Sequence, residues 1–140
     1  MSLWQTIKVW LGLEKPVVEF DWPAHWSELL EQNVSFYRVL DSENKLKFEQ
    51  RCTGFLLTTR IEGGIGVEVE DLDRLLVAAS AVIPVWGFAD WPYLSVAAVI
   101  LLPGTFNYQF VCGQPDSRIS VMVGHGPMSG KMALSQQHLR

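Results

Sequence analysis

The sequence predicts an α+β fold in which N-terminal helices pack on a small mixed or antiparallel sheet. Helical periodicity dominates the first part of the chain, an uninterrupted apolar run follows at residues 96–102, and alternating apolar stretches come after it. Helices that precede most of the strands mark α+β architecture rather than alternating βα units. Residues 71–106 carry most of this signal, because a long apolar helix pattern there meets a Pro- and Trp-rich break and then the apolar strand.

Length and composition set the outer bounds. A chain of 140 residues fits one domain and buries roughly two thirds of its unfolded surface, enough for a core without staples. Residues 1–20 read as an arm and linker, and residues 21–140 as a single α+β domain. Cys52 and Cys112 lie far apart with no CxxC or CxxxH neighbour, which argues against zinc clips and fits buried thiols in a reducing compartment, by default the cytoplasm. A net charge of -4 without a Lys/Arg cluster removes the counterion-release term that nucleic-acid affinity depends on, so DNA and RNA are not expected ligands.

At the N-terminus, Leu3, Trp4, Ile7, Trp10 and Leu11 fall at helical spacing, but neither a basic n-region nor a small-residue cleavage site is present. An arm that packs its Trp stripe on the domain or on a neighbour is preferred to a membrane-surface helix, since only Lys8 and Lys15 could meet anionic lipid. Residues 16–20 form an extended linker, and Asp21, Trp22 and Pro23 read as a cap and early proline of a helix reaching about Glu31. Trp22, Trp26, Leu29 and Leu30 share its inner face, and Val34, Phe36, Tyr37 and Leu40 continue the burial in a second short piece. His25, between tryptophans and without partners at ligand spacing, reads as a surface or core-edge residue.

Asp41 and Ser42 open the clearest amphipathic helix, ending near Thr58 or Thr59. Leu46, Phe48, Cys52, Phe55 and Leu56 face inward and Lys45, Lys47, Glu49, Gln50 and Arg51 outward. Gly54 inside that pattern costs about 1 kcal/mol against alanine and marks close passage of another backbone. Gly63, Gly64 and Gly66 form a plain turn, because a phosphate loop would need a preceding strand, a Lys with Ser or Thr, and a helix opening at the glycines. Val67 and Val69 alternate with Glu68 and Glu70 as a short strand, and Asp71 and Asp73 enter the first turn of a buried helix that kinks or ends around Pro84 and Gly87. The acids here lack the glycine-turn spacing of a calcium loop and read as a solvated edge with helix-dipole complementarity.

Residues 75–102 carry a single formal charge, Asp90. Pro84, Gly87 and Pro92 nevertheless split them into pieces shorter than the about 20 apolar residues that span a bilayer, so no membrane insertion is expected. Residues 96–102 read as a central strand buried on both faces. Phe106, Tyr108, Phe110 and Cys112, and after a turn Ile119, Val121 and Val123, read as half-buried strands. A loop at Gly124, His125, Gly126 and Pro127 leads to a last strand-like run, Lys131 to Ser135.

The run from Phe55 through Ile61, Gly63 and the acidic turn to the buried helix, then Trp91, Tyr93, the apolar strand, Pro103 and Phe106, resembles the N-terminal half of the Mlc titration factor A family. So does Gly130, Lys131, Met132, Ala133, Leu134, Ser135, similar to a Gly, variable, Val, Leu, Ser pattern of that family. The resemblance covers about residues 22–134. It implies the front half of a zincin-like metallopeptidase fold, in a family of cytosolic, glucose-regulated zinc peptidases mostly described as aminopeptidases, whose enterobacterial founder binds the repressor Mlc.

The family's zinc site is an HExxH helix, two histidines on one face with the glutamate as general base, plus a later third ligand. His25, His125 and His138 include no such pair, so zinc is implied for the full-length family and none is expected on this chain. The chain reads either as the front part of a longer peptidase, favoured because Leu139 and Arg140 close it without a terminating helix pattern, or as a shortened, non-catalytic relative. The first would act on peptides; the second would be a protein-binding module, such as an adaptor for a transcriptional regulator. By position relative to the family motif, Met132, Ala133, Leu134 and Ser135 are candidates for an edge strand that takes peptide as an added strand, the alternative being ordinary pairing within the sheet. Ser135 lacks a GxSxG elbow and is no nucleophile candidate. A front half alone would leave an apolar sheet face or edge uncovered and self-associate.

Overall fold

The computed structural model describes residues 21–88, 96–124 and 130–140, so the readings of the N-terminal arm and linker, of the break at Asp90 to Tyr93 and of most of the loop at His125 lie outside it. Helix α1, Ala24–Asn33, starts later than its sequence signal: Pro23, at φ -64, takes the cap position, and no side chain caps the helix. Trp26 and Leu30, one turn apart, bury its inner face. A single turn, α2 (Ser35–Arg38), buries Tyr37. Helix α3, Ser42–Thr58, starts where expected, because the Asp41 carboxylate accepts the Asn44 N–H at 2.8 Å, a cap worth about 1 kcal/mol.

Two expectations for α3 are corrected. Phe48 and Cys52, one turn apart and both buried, fix its inward direction; Leu46 lies two residues from Phe48, on the far side, and is 61% exposed. A Cβ built on Gly54 would meet no atom within 4 Å, so no described backbone passes close to it.

The first strand also sits elsewhere than expected. β1 is Arg60–Gly63, while residues 67–70 run without a ladder. The chain reverses at the glycine turn as predicted, and so tightly that a Cβ on Gly63 would come within 2.3 Å of the Val67 carbonyl oxygen and one on Gly64 within 2.8 Å of the Leu102 side chain. Val67 and Val69 still reach the core from the far side of that turn. Helix α4, Asp71–Val82, is buried along Leu75, Val77, Ala78, Ala79 and Val82 and gives way to a 3-10 turn, Ile83–Val85, at Pro84. Arg51 stacks 4.9 Å above the Trp86 ring and donates to the carbonyls of Trp86 (3.1 Å) and Phe88 (2.8 Å), closing the end of this unit.

β2, Ala98–Leu102, is buried on both faces as predicted. Residues 106–112 form no strand beyond isolated bridges of Phe106 to Cys112 and Ile119. The Asn107 side-chain oxygen accepts the N–H groups of Gln109 (2.9 Å) and Val111 (3.0 Å), and Phe110 adopts φ 62. Local side-chain bonding outcompetes the ladder there. β3 is Val121–Val123 and β4 Lys131–Ser135, after which the chain forms one helical turn, α5 (Gln136–Leu139), where no helix pattern was expected.

The sheet is mixed, in the order β1-β2-β4-β3, with β2 parallel to both β1 and β4 and β3 antiparallel to β4. One face carries the helices, where Phe55 and Val77 meet Val99, Leu101, Met132 and Leu134. Segment 103–119 covers the other, with Phe106 against Ile100, Leu102, Ala133 and Met122. The helices have their own core around Phe48, whose ring lies 5.5 Å from Tyr37 and 5.8 Å from Trp86. Among the described residues no helix is long and apolar enough to cross a membrane.

Phe48→Ala therefore lowers stability by about 3–5 kcal/mol in urea unfolding, whereas Leu46→Ala stays within about 0.5 kcal/mol.

Candidate functional site

β3 is the outer strand of the sheet on the β4 side. Ser135 donates its N–H to Ser120 O and Gly124 donates to Lys131 O, both at 2.8 Å, and Met122 stands opposite Ala133. In an antiparallel ladder the residues between such pairs turn their N–H and C=O groups the other way, so those of Val121 and Val123 point out of the sheet. The register sets Val121 beside Leu134 and Val123 beside Met132, on the helix-bearing face. The helix layer stops short of them, and Val121 and Val123 are 57% and 56% exposed.

Met132, Ala133, Leu134 and Ser135 do not form an edge. They occupy β4, which pairs with β2 on one side and β3 on the other, because β3 folds back antiparallel and takes the outer position. Ser135 is fully buried and its hydroxyl pairs with His138 Nδ1 at 3.0 Å across the single turn of α5.

Behind β4 lies a charged lock that the sequence reading missed. Asp73, in the first turn of α4, has no solvent exposure. Its carboxylate accepts Arg140 Nε at 2.9 Å and Nη2 at 3.0 Å, Gln136 Nε2 at 3.1 Å and the Glu70 N–H at 2.9 Å. Arg140 Nη2 also reaches Glu70 Oε2 at 2.7 Å. Burial by itself would push the Asp73 carboxyl up; the bonds from Arg140, Glu70 and Gln136, with the Arg140 charge, outweigh it and hold the group below the ordinary carboxylate range. The same carboxylates push the Arg140 guanidinium up. Asp73 is legible as a first-turn acid, whereas Glu70 reads as part of a strand; Arg140, 67 residues away from Asp73, carries no local signal.

The remaining reactive groups are engaged locally. His25 Nε2 lies 2.9 Å from Asp71 Oδ2, whose carboxyl the His25 hydrogen bond lowers. Glu49 accepts from Ser27 Oγ and, at 3.2 Å, from the Tyr37 hydroxyl; burial first and then Glu49 push that phenol up to about 12. Burial likewise pushes the Cys52 thiol up to about 12, which keeps it protonated at neutral pH. Among the described residues no three His, Cys, Asp or Glu side chains are placed to share a metal ion, and Asp73, the most buried carboxylate, is filled by its own cation. These residues do not fit a zinc centre.

An α+β unit with a mixed sheet whose outer strand has no further strand partner among the described residues is compatible with a peptidase scaffold, and the comparisons give the class: residues 13–140 match the model of a metallopeptidase family. The chain belongs to the glucose-regulated metallo-peptidase M90 family, the Mlc titration factor A family that its sequence resembles. It is also similar to the uncharacterized protein slr2042 of Synechocystis sp., 24% identical over 106 residues, which are 76% of this chain and 38% of that protein. The chain thus spans about two fifths of the length of that relative. No solved structure matches it.

The lock sets an acid limit. A carboxyl whose folded pKa is depressed stabilises the fold above its unfolded value, about 3.9, and loses that contribution as pH falls through the folded value. Urea midpoints should therefore drop as pH is lowered below about 4, with a shallower drop in Asp73→Asn. At pH 7, Arg140→Ala should cost about 2 kcal/mol, less than a fully buried pair because Arg140 is 38% exposed.

Proposed function

We propose that this chain is the substrate-holding front portion of a zinc-dependent peptidase, acting on peptides in the cytoplasm. The observation that carries the reading is the outward-facing backbone of Val121 and Val123, in a chain that belongs to a metallopeptidase family. An extended peptide adds to β3 as a further strand: the N–H and C=O groups of Val121 and Val123 bind its backbone, and their exposed side chains flank it. The metal ligands would lie outside the residues described here, and a zinc held there would supply the Lewis acid and the activated water. The residues described here align the peptide and shield one side of it from solvent. Free thiols at Cys52 and Cys112 support a reducing compartment.

The test is peptide hydrolysis by the complete reading frame, with and without zinc. Val123→Pro removes an outward N–H without touching the ladder to β4, so KM should rise several-fold with kcat changed less. Metal-independent or absent hydrolysis would overturn the peptidase reading; unchanged KM in both Val121→Pro and Val123→Pro would overturn the edge.

The same outer strip gives the 140-residue chain a self-association surface. Sedimentation should show dimers growing with concentration, and Val121→Lys with Val123→Lys should return the chain to monomer.

A further inference from the structure

The ladder between β3 and β4 fixes how long an added strand is held and which way its side chains turn. Ser120 O and the Gly124 N–H both bond inward to β4, so the outward row begins and ends within β3, with one N–H and one C=O at Val121 and one of each at Val123. An added strand is therefore held over three residues, opposite Val121, Met122 and Val123. Directly opposed residues of neighbouring strands project to the same face whichever way the added strand runs, and successive residues alternate. The first and third peptide residues thus stand beside Val121 and Val123 on the helix-bearing face. The second stands beside Met122 on the other.

The two faces differ at this edge. On the helix-bearing side Val121 and Val123 are more than half exposed and are backed by Leu134 and Met132, an apolar row without a charged or hydrogen-bonding side chain. On the other side Met122 is half-buried in the cluster of Phe106 and Ala133. We infer that β3 selects peptides by a three-residue pattern, apolar at the first and third positions and unrestricted between them, with Val121 and Val123 as the residues that determine it. The inference rests on the strand-addition reading above. A branched or aromatic side chain at the first or third position extends the apolar row, and each such cross-strand pair favours binding by up to about fivefold over a small residue. A charged side chain there gains none of this and loses hydration. Register is part of the selection, because a peptide shifted by one residue turns both apolar side chains to the wrong face.

Nuclear magnetic resonance titration of the 140-residue chain, at concentrations where it sediments as a monomer, tests this with two peptides of equal composition. Gly-Ile-Ser-Ile-Gly and Gly-Ile-Ile-Ser-Gly, each acetylated and amidated, should both shift the Val121 and Val123 amides, the first with a several-fold lower Kd. Val121→Glu with Val123→Glu, at positions exposed enough for the fold to persist, should transfer the pattern to cations: Gly-Lys-Ser-Lys-Gly should then bind several-fold tighter than Gly-Lys-Lys-Ser-Gly, through opposite-charge pairs at the same two places. Equal Kd values for the two isoleucine peptides on the unaltered chain would overturn the selection and leave strand addition standing. No shift at Val121 and Val123 with either peptide would overturn strand addition and the selection with it. Equal binding of the two lysine peptides to the Glu variant would overturn the assignment to these two valines.

Discussion

The fold is organised around the requirement that β2 be hydrogen-bonded on both edges and packed on both faces. A strand read as Ala-Val-Ile-Leu-Leu offers water nothing from its side chains and two rows of peptide groups that must all be paired. Parallel partners on both edges, β1 and β4, satisfy the backbone, but parallel neighbours cannot be joined by tight turns. The chain has to cross the sheet between them, once through α4 on one face and once through residues 103–130. Each connection then supplies a cover: α4 delivers Val77 to Val99 and Leu101, and the later segment delivers Phe106 to Leu102 and Ala133. Pairing and layering are therefore set by the same strand.

The outer half of the sheet is built on less. Where the helices end, the helix-bearing face continues through Met132 and Leu134 to Val121 and Val123 with diminishing cover. Short length is one of the ways proteins keep such a strand from pairing indiscriminately, and three residues of β3 leave two outward peptide groups of each kind. The contrast with the helical subdomain is chemical. There Phe48, Tyr37 and Trp86 pack ring against ring, with Arg51 and Lys47 over the Trp86 face, and the charges serve packing; at the outer strand the backbone is the available functional group.

What was legible in the sequence follows the range of the interactions concerned. The buried helix after Asp71, the Asp41 cap and the two-sided strand read at residues 96–102 are written in contiguous residues, and the structure has all three, the strand over Ala98–Leu102. β1 escaped because Arg60–Gly63 has no alternation of its own and becomes a strand through its partner Ala98–Leu101. The interior position of β4 depends on where β3 returns, which its own residues do not encode. Residues 106–112 show true alternation, yet Asn107 redirects their N–H groups into a local turn. Arg140 met Asp73 only through the whole tertiary fold. The family resemblance, by contrast, was legible because it is a sequence pattern in the first place, and the matched model bears it out.

The central strand also imposes an order of events on synthesis. β2 pairs first with β1, already made, while its other edge waits for residues 131–135. Until those residues, which lie within the last ten of the chain, reach it, a five-residue apolar ribbon stands with one side unzipped, and closing it requires contacts distant in sequence, the slow kind. Over that delay the half-paired strand is the part of the folding chain most open to pairing with the wrong partner.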